Sequence, residues 1–211
     1  MDIQRIMVAG IGTEVGKTVV SAILATMLNA DYWKPIQCGD ESNADTTMMK
    51  KWLVKSKHTV FEPAYSLKAP LSPHHAARLE NVTISIDKIK LPNARRPLII
   101  EGVGGILVPL KTNLLTIDLF AAWNCKWVIV SRNYLGSINH TLLTLEVLKK
   151  RKLPILGIIF NGEDNPDTEA AILENSQLPL LGKLYPENHL NQHIFKRYSQ
   201  AWLPNFSKIL R

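Results

Sequence analysis

The chain has 211 residues, 46% of them hydrophobic, with 25 Lys and Arg against 18 Asp and Glu, a formal net charge of +7 and two cysteines. That composition suits one globular α/β domain and excludes a disordered chain and a disulfide scaffold; no apolar run nears the roughly 20 residues a membrane-spanning helix needs. The basic residues are scattered ("KK" at 50–51, "RR" at 95–96, "KKRK" at 149–152), which fits anionic ligands better than nucleic acid.

Taken in chain order, "IQRIMVAG" reads as a buried strand and "GKTVVSAILATMLNA" as a helix. "DYWKPI" is a short strand closed by Pro35, and "NADTTMMKKWLVK" is helical. From about residue 56 to 92, with Pro63, Pro70 and Pro73, the chain is irregular and reads as an insertion over the C-terminal edge of the sheet, where open α/β sheets bind ligands. "RPLIIEG" and "CKWVIVS" are continuous apolar runs, "INHTLLTLEVLKKRK" is an amphipathic helix and "PILGIIF" a further strand. "NPDTEAAILENS" offers Asn165 as N-cap and Pro166 at the first helical position, and "PLLGKL" is a last, shorter strand. The tail beyond has little motif content; "HLNQHIFKRYSQAWL" is only a weak candidate for an amphipathic membrane helix. Strands alternating with helices predict an α/β fold with a mostly parallel sheet covered on both faces, and residues 1–211 are expected to form a single domain. The opening "MDIQRIMVAG" has neither a long apolar stretch nor a small-residue cleavage site, so a cytoplasmic protein with Cys38 and Cys125 reduced is expected.

The stretch "MVAGIGTEVGKTVVS" carries the chemistry. Glycines between a strand and a helix let backbone N–H groups wrap a phosphate, a lysine reaches its oxygens, and a Ser or Thr binds Mg²⁺. Gly16-Lys17-Thr18 fits that pattern, but the preceding glycine is Gly10, so the loop is one residue longer than the usual spacing. Some partitioning ATPases of this class carry a second lysine early in the loop, where this chain has Gly12; Lys34 in "YWKPIQCG" could supply that charge, or be a solvated strand-end lysine.

Mg²⁺ beside such a loop takes one or two carboxylates. Glu101 ends the buried run "LIIEG" and is either a metal ligand or a strand cap; Asp45 is either a ligand or a helix N-cap. Asn161 could read an adenine edge or simply turn the chain before Gly162. The helix opening near Ser137 could receive a carboxylate on its free N–H groups or be capped by Ser137. His74-His75 has no partner spacing for zinc.

Together "GIGTEVGKTVVS", "YWKPIQCG", "NADT", "LSPHHAA", "LIIEGVGGILVPL", "LGSINHTLLT" and "IFNG", in this order, resemble dethiobiotin synthetase, the ATP-dependent carboxylase of biotin synthesis, from the N-terminus to about residue 185. The resemblance implies a P-loop NTPase-like fold and the conversion of 7,8-diaminopelargonate, CO₂ (or bicarbonate) and ATP to dethiobiotin, ADP and phosphate with Mg²⁺. It implies nucleotide contacts at Gly12, Thr13, Glu14, Val15, Gly16, Lys17, Thr18, Val19 and Asn161, and metal ligation by Thr18, Asp45 and Glu101. It gives catalytic roles to Lys17, Lys34 and Thr13, and substrate contacts to Lys34, Cys38, Gly104 and Gly105. It further implies a homodimer, with Leu135, Gly136 and Asn139 reaching the partner's substrate, and no role for nucleic acid or membrane. The chain departs from the family at Ile11-Gly12, where many members have Thr-Asp, and at Cys38, where Ser or Thr is usual. Glu14 matches a family glutamate and reads equally as a solvated loop acid. Rival readings are an amidoligase of cobalamin synthesis, for which the chain has no room for a glutaminase domain, and a partitioning ATPase, against which Gly12 argues.

Overall fold

A computed structural model describes residues 4–40, 42 and 44–209. Seven strands form one sheet whose paired neighbours all run parallel, so "mostly parallel" becomes wholly parallel here. They are β1 (Arg5–Gly10), β2 (Asp31–Trp33), β4 (Val60–Phe61), β6 (Leu98–Gly105), β9 (Lys126–Arg132), β10 (Ile155–Asn161) and β11 (Leu180–Leu184), in the order β11-β10-β9-β1-β6-β2-β4. Two small ribbons stand apart: β3 (Ile36–Cys38) pairs with β5 (Tyr65–Leu67), and β7 (Pro109–Lys111) with β8 (Leu114–Leu115).

Successive β1 side chains face opposite sides, which is why a strand sandwiched by helices reads as a continuous apolar run. Ile6 and Val8 join the core under α1 (Lys17–Leu28) and α7 (Gln192–Ile209). Met7 and Ala9 join the core under α5 (Ser137–Lys150) and α6 (Pro166–Ser176), which also takes in α3 (Pro73–Leu79) and α4 (Thr116–Phe120). The remaining helix, α2 (Asp45–Trp52), lies beside α1. Asn165 caps α6 as expected, its side chain accepting from the Thr168 N–H, with Pro166 following.

Four sequence expectations change. Pro35 does not close the second strand but breaks it in two. Lacking an N–H, it cannot extend the ladder to β6, and the chain resumes as β3 while the Pro35 carbonyl accepts from Ala64. The 56–92 stretch is not wholly irregular: Val60 pairs with Tyr32, so the segment supplies the last strand of the main sheet as well as β5 and α3. The second helix stops at Trp52, with Leu53 extended, and Asn43 at its expected start lies outside the described residues.

The tail is the fourth change. It forms an 18-residue helix, α7, with Phe195, Tyr198, Trp202 and Phe206 buried at helical spacing. Ser199 Oγ donates to the Ile23 carbonyl and Asn205 Nδ2 to that of Leu181, so this amphipathic face is core. Gly182 gives the room: a Cβ there would lie 2.4 Å from the Trp202 indole nitrogen. No helix among the described residues is long and apolar enough to cross a membrane.

Candidate active site

The site lies at the C-terminal ends of β1, β2 and β6. Residues 11–16 leave β1 and turn into α1 through Gly16, whose φ of 95° is left-handed backbone. A Cβ at Gly16 would also stand 2.4 Å from Asn161 Nδ2, so glycine is required twice over. Gly12 is different: a Cβ there meets nothing within 4 Å, so a side chain is missing by sequence and not for want of room.

No side chain caps α1, which leaves its first N–H groups facing the loop. Lys17 folds back over them and donates to the Gly12 carbonyl at 2.7 Å. Only 7% of Lys17 is exposed. Burial pulls its pKa down to about 8, with Glu101 opposing the shift and Lys34 adding to it. A cation this poorly compensated at a helix N-terminus is built for an anion that completes it.

Beside the loop, Thr18, Lys34, Asp45 and Glu101 converge. Glu101 is 1% exposed, inside β6 and not at its end, because β6 runs on to Gly105. Asp45 is not the N-cap of α2; Ala44 holds that position and Asp45 is the first helical residue. The Asp45 carboxylate meets Thr18 Oγ1 and Lys34 Nζ. Lys34 also donates to Glu101 Oε1 at 3.0 Å and is 6% exposed, so it is no solvated strand-end lysine. Burial alone would lower the Lys34 pKa, but the Glu101 and Asp45 carboxylates outweigh it and the pKa is raised. Burial would likewise raise that of Asp45, yet Lys34 with the Lys34, Thr18 and Gln37 hydrogen bonds holds it low.

Thr18 Oγ1 lies within hydrogen-bond distance of both carboxylates, at 3.0 Å from Glu101 Oε1, although its hydroxyl has a single proton. Three hard oxygens brought this close, two of them from carboxylates that Lys34 alone among the described basic side chains pairs here, suit a small divalent cation that keeps waters and phosphate oxygens as its other ligands. The residues therefore fit Mg²⁺. Among the described residues no group of three or more His, Cys, Asp or Glu side chains is gathered for a metal, which leaves no competing soft-metal centre.

A cavity of about 710 Å³ opens on this cluster. Of the expected residues it is lined by Thr13, Glu14, Gly16, Lys17, Thr18, Val19, Lys34, Cys38, Asp45, Glu101 and Gly104. Gly12 stays close through its carbonyl to Lys17, and Gly105 through backbone packed against Ile11 and Gly12. Cys38 stands where a hydroxyl was expected, and burial pushes its thiol up to about 11, so it remains a protonated, weak hydrogen-bonding group at neutral pH.

Val15 and Asn161 lie outside the cavity wall. Val15 is buried, and its carbonyl accepts from Asn161 Nδ2 at 2.9 Å. Asn161 is thus neither a bare turn residue nor free: it staples the end of β10 to the loop. Leu135, Gly136 and Asn139 are also apart from the cavity, at the start of α5. Leu135 is fully exposed, with Tyr134, Ile138 and Leu143 exposed around it. Gly136, at φ 99°, is the N-cap of α5, and Ser137 does not cap it.

The sequence reading missed Tyr32 and the Pro70–Pro73 wall. Tyr32 Oη donates to Glu101 Oε2 at 2.8 Å. Its place two residues before Lys34 in an extended segment was the available signal, since alternate residues share a face. Pro70, Leu71, Ser72 and Pro73 close one side of the cavity, so the 56–92 segment does reach the C-terminal edge.

A family model described as an AAA domain matches residues 4–193. The chain is 45% identical over 203 residues to the ATP-dependent dethiobiotin synthetase BioD of Christiangramia forsetii, covering 96% of this chain and 97% of that protein. It is 44% identical over 199 residues to the protein of the same name from Chlamydia pneumoniae, covering 94% and 89%. The chain belongs to the dethiobiotin synthetase family.

The fold of this family member is shared more widely. A putative plasmid partition protein from Borrelia burgdorferi, bound to AMPPNP, superposes with a TM-score of 0.63 at 15% identity, covering 99% of both chains. The septum site-determining protein MinD from Pyrococcus horikoshii, complexed with Mg-ADP, superposes with a TM-score of 0.57 at 16% identity, covering 99% of this chain and 96% of that one. At such identities the likeness is one of P-loop α/β fold.

Proposed function

We propose that the cavity beside Lys17, Lys34, Asp45 and Glu101 is where this dethiobiotin synthetase carries out its reaction. The protein carboxylates 7,8-diaminopelargonate with CO₂ and closes the ring to dethiobiotin at the expense of ATP, with Mg²⁺. One amine takes up CO₂ as a carbamate, losing a proton. A carbamate oxygen attacks the γ-phosphorus and ADP leaves, giving a carbamic–phosphoric anhydride. The second amine attacks the carbamate carbon and gives up a proton, the urea closes and phosphate departs.

Each step asks the chain mainly for placement and charge. The Gly12–Val19 loop and the free N–H groups of α1 hold the phosphates, and Lys17 leaves the Gly12 carbonyl for the β,γ-bridge. Lys34, freed from part of its contact with the carboxylates, faces the negative charge that grows where carbamate oxygen meets phosphorus. Thr18, Asp45 and Glu101 would hold Mg²⁺, which supplies further neutralisation of the phosphates. Thr13, Cys38 and Gly104 border the space for the carbamate, and Gly105 backs the loop.

Asn161 keeps Nδ2 on Val15 and has its carbonyl and second amide hydrogen for an adenine edge. Leu135, Gly136 and Asn139 serve the partner's substrate in a homodimer, which accounts for the exposed apolar residues about them. The whole chain acts as one domain, in the cytoplasm.

The observation that carries this reading is the pair of buried lysines, 7% and 6% exposed, beside two carboxylates and a hydroxyl at the mouth of one cavity. ADP release is measured with Mg-ATP, adding the diamino acid and bicarbonate separately and together. Release is expected only with both; release indifferent to the diamino acid overturns the reading.

A further inference from the structure

Glu101 divides its two oxygens. Oε1 faces the loop, with Thr18 Oγ1 and Lys34 Nζ each at 3.0 Å. Oε2 takes its hydrogen bond from Tyr32 Oη at 2.8 Å. Tyr32 is 0% exposed, and it sits on the strand next to that of Glu101, with Tyr32 in register with Ile99 and Trp33 with Ile100. The phenol is therefore fixed to the carboxylate by the sheet itself, two residues from Lys34 but apart from the cavity lining.

We infer that Tyr32 is a positioning residue that keeps Glu101 turned to the metal through Oε1 alone and thereby favours Mg²⁺ over Ca²⁺. The inference rests on the metal reading given above. Mg²⁺ demands a near-octahedral shell, whereas Ca²⁺ accepts both oxygens of one carboxylate in a larger, looser shell. Two-oxygen chelation by Glu101 would turn Oε2 toward the ion and pull it out of line with Tyr32, weakening the bond from a buried phenol hydroxyl that the sheet holds in place. Lys34 is called away by the phosphoryl charge and Thr18 by the metal; Tyr32 lies outside the cavity lining, so its contact with Oε2 can persist through the reaction.

The test uses Tyr32→Phe, which keeps the ring and removes the hydroxyl. Mn²⁺, an octahedral substitute for Mg²⁺, is titrated by electron paramagnetic resonance onto the protein–ADP complex, Ca²⁺ is used as competitor, and ADP affinity is measured separately in excess EDTA. Mn²⁺ affinity should fall about tenfold or more, in the range found when partners of metal ligands are removed. Ca²⁺ should compete relatively better, and ADP affinity in EDTA should hold. An Mn²⁺ affinity changed by less than about twofold overturns the inference, as does an equal loss of metal-free ADP affinity, which would mean general distortion.

Because Tyr32 acts through Glu101, adding Tyr32→Phe to Glu101→Gln should cost little further Mn²⁺ affinity, and full additivity overturns it. If Tyr32→Phe fails to fold, the parent decides: its ADP complex must prefer Mn²⁺ over Ca²⁺ more strongly than free ADP does, and equal preference overturns the inference. A parent complex that binds Mn²⁺ no better than free ADP sinks the metal reading itself, a separate outcome.

Discussion

Replacing Lys17 by Met should make the ligand-free protein more stable while abolishing its use of ATP. Met matches the length of the lysine stem without its charge. Lys17 falls from 10.5 to about 8 on folding, chiefly through burial. At about 1.4 kcal/mol for each tenfold change in proton affinity, keeping it charged in the folded state costs about 3 kcal/mol at pH 7. The lost hydrogen bond to the Gly12 carbonyl offsets about 1 kcal/mol, leaving a net gain of about 2 kcal/mol. For a chain of this size that raises Tm by roughly 4–8 °C.

The pH dependence gives the sharper check. Below about pH 8 the folded protein carries the full penalty. Between about 8 and 10.5 the unfolded chain keeps a proton that the folded chain has released, so native stability climbs with pH; above 10.5 the penalty is gone. Thermal and urea unfolding of parent and Lys17→Met, ligand-free and at matched protein concentration, should therefore differ most at pH 7 and converge toward pH 10. A Met variant less stable than the parent at pH 7, or a difference that ignores pH, refutes the argument.

Lys34→Gln should lose turnover by about a hundredfold or more while retaining native circular dichroism; near-normal ADP release would show that Lys34 takes no part. With Lys34 gone, the Asp45 carboxylate loses the charge that holds it low, so the stability its depressed pKa adds above the unfolded value is missing, and the parent–variant gap in urea unfolding should be wide at neutral pH and narrow as pH falls through the parent's Asp45 titration. Asn161→Ala removes the staple to Val15 and should raise the KM for ATP by about tenfold with a stability loss near 1 kcal/mol; unchanged ATP kinetics would refute its assignment. A mixture of Lys17→Ala and Asn139→Ala subunits should regain activity through hybrid dimers. Absence of recovery, with subunit exchange demonstrated, counts against a site shared between protomers.

Much of the fold could be read locally. Continuous apolar strands, a Pro-led helix behind Asn165 and the glycine turn before Lys17 each leave a mark within a few residues, and continuous apolar strands between helices point to a mostly parallel sheet covered on both faces. Pro35 misled because local sequence shows that a proline interrupts a strand but not that the chain resumes in another sheet. The α7 helix was under-read because its buried stripe is thin, one apolar residue every three or four positions with exposed Lys196, Arg197 and Pro204 between, and its value depends on Gly182 and Ile23, far off in sequence.

The sequence by itself determined the ingredients of the site, since Gly16-Lys17-Thr18, Lys34, Asp45, Glu101 and Asn161 are chemically conspicuous where they stand. Only the tertiary structure decided what each does to the others. Whether Lys34 is solvated or paired, whether Asp45 caps a helix or faces Thr18, and which partner Glu101 Oε2 takes depend on distances between β1, β2, β6 and α2. Burial and electrostatic interaction act through space: the low pKa of Lys17 leaves no trace along the chain, and the spacing of Tyr32 to Lys34 hints at a shared face without showing that Tyr32 grips Glu101.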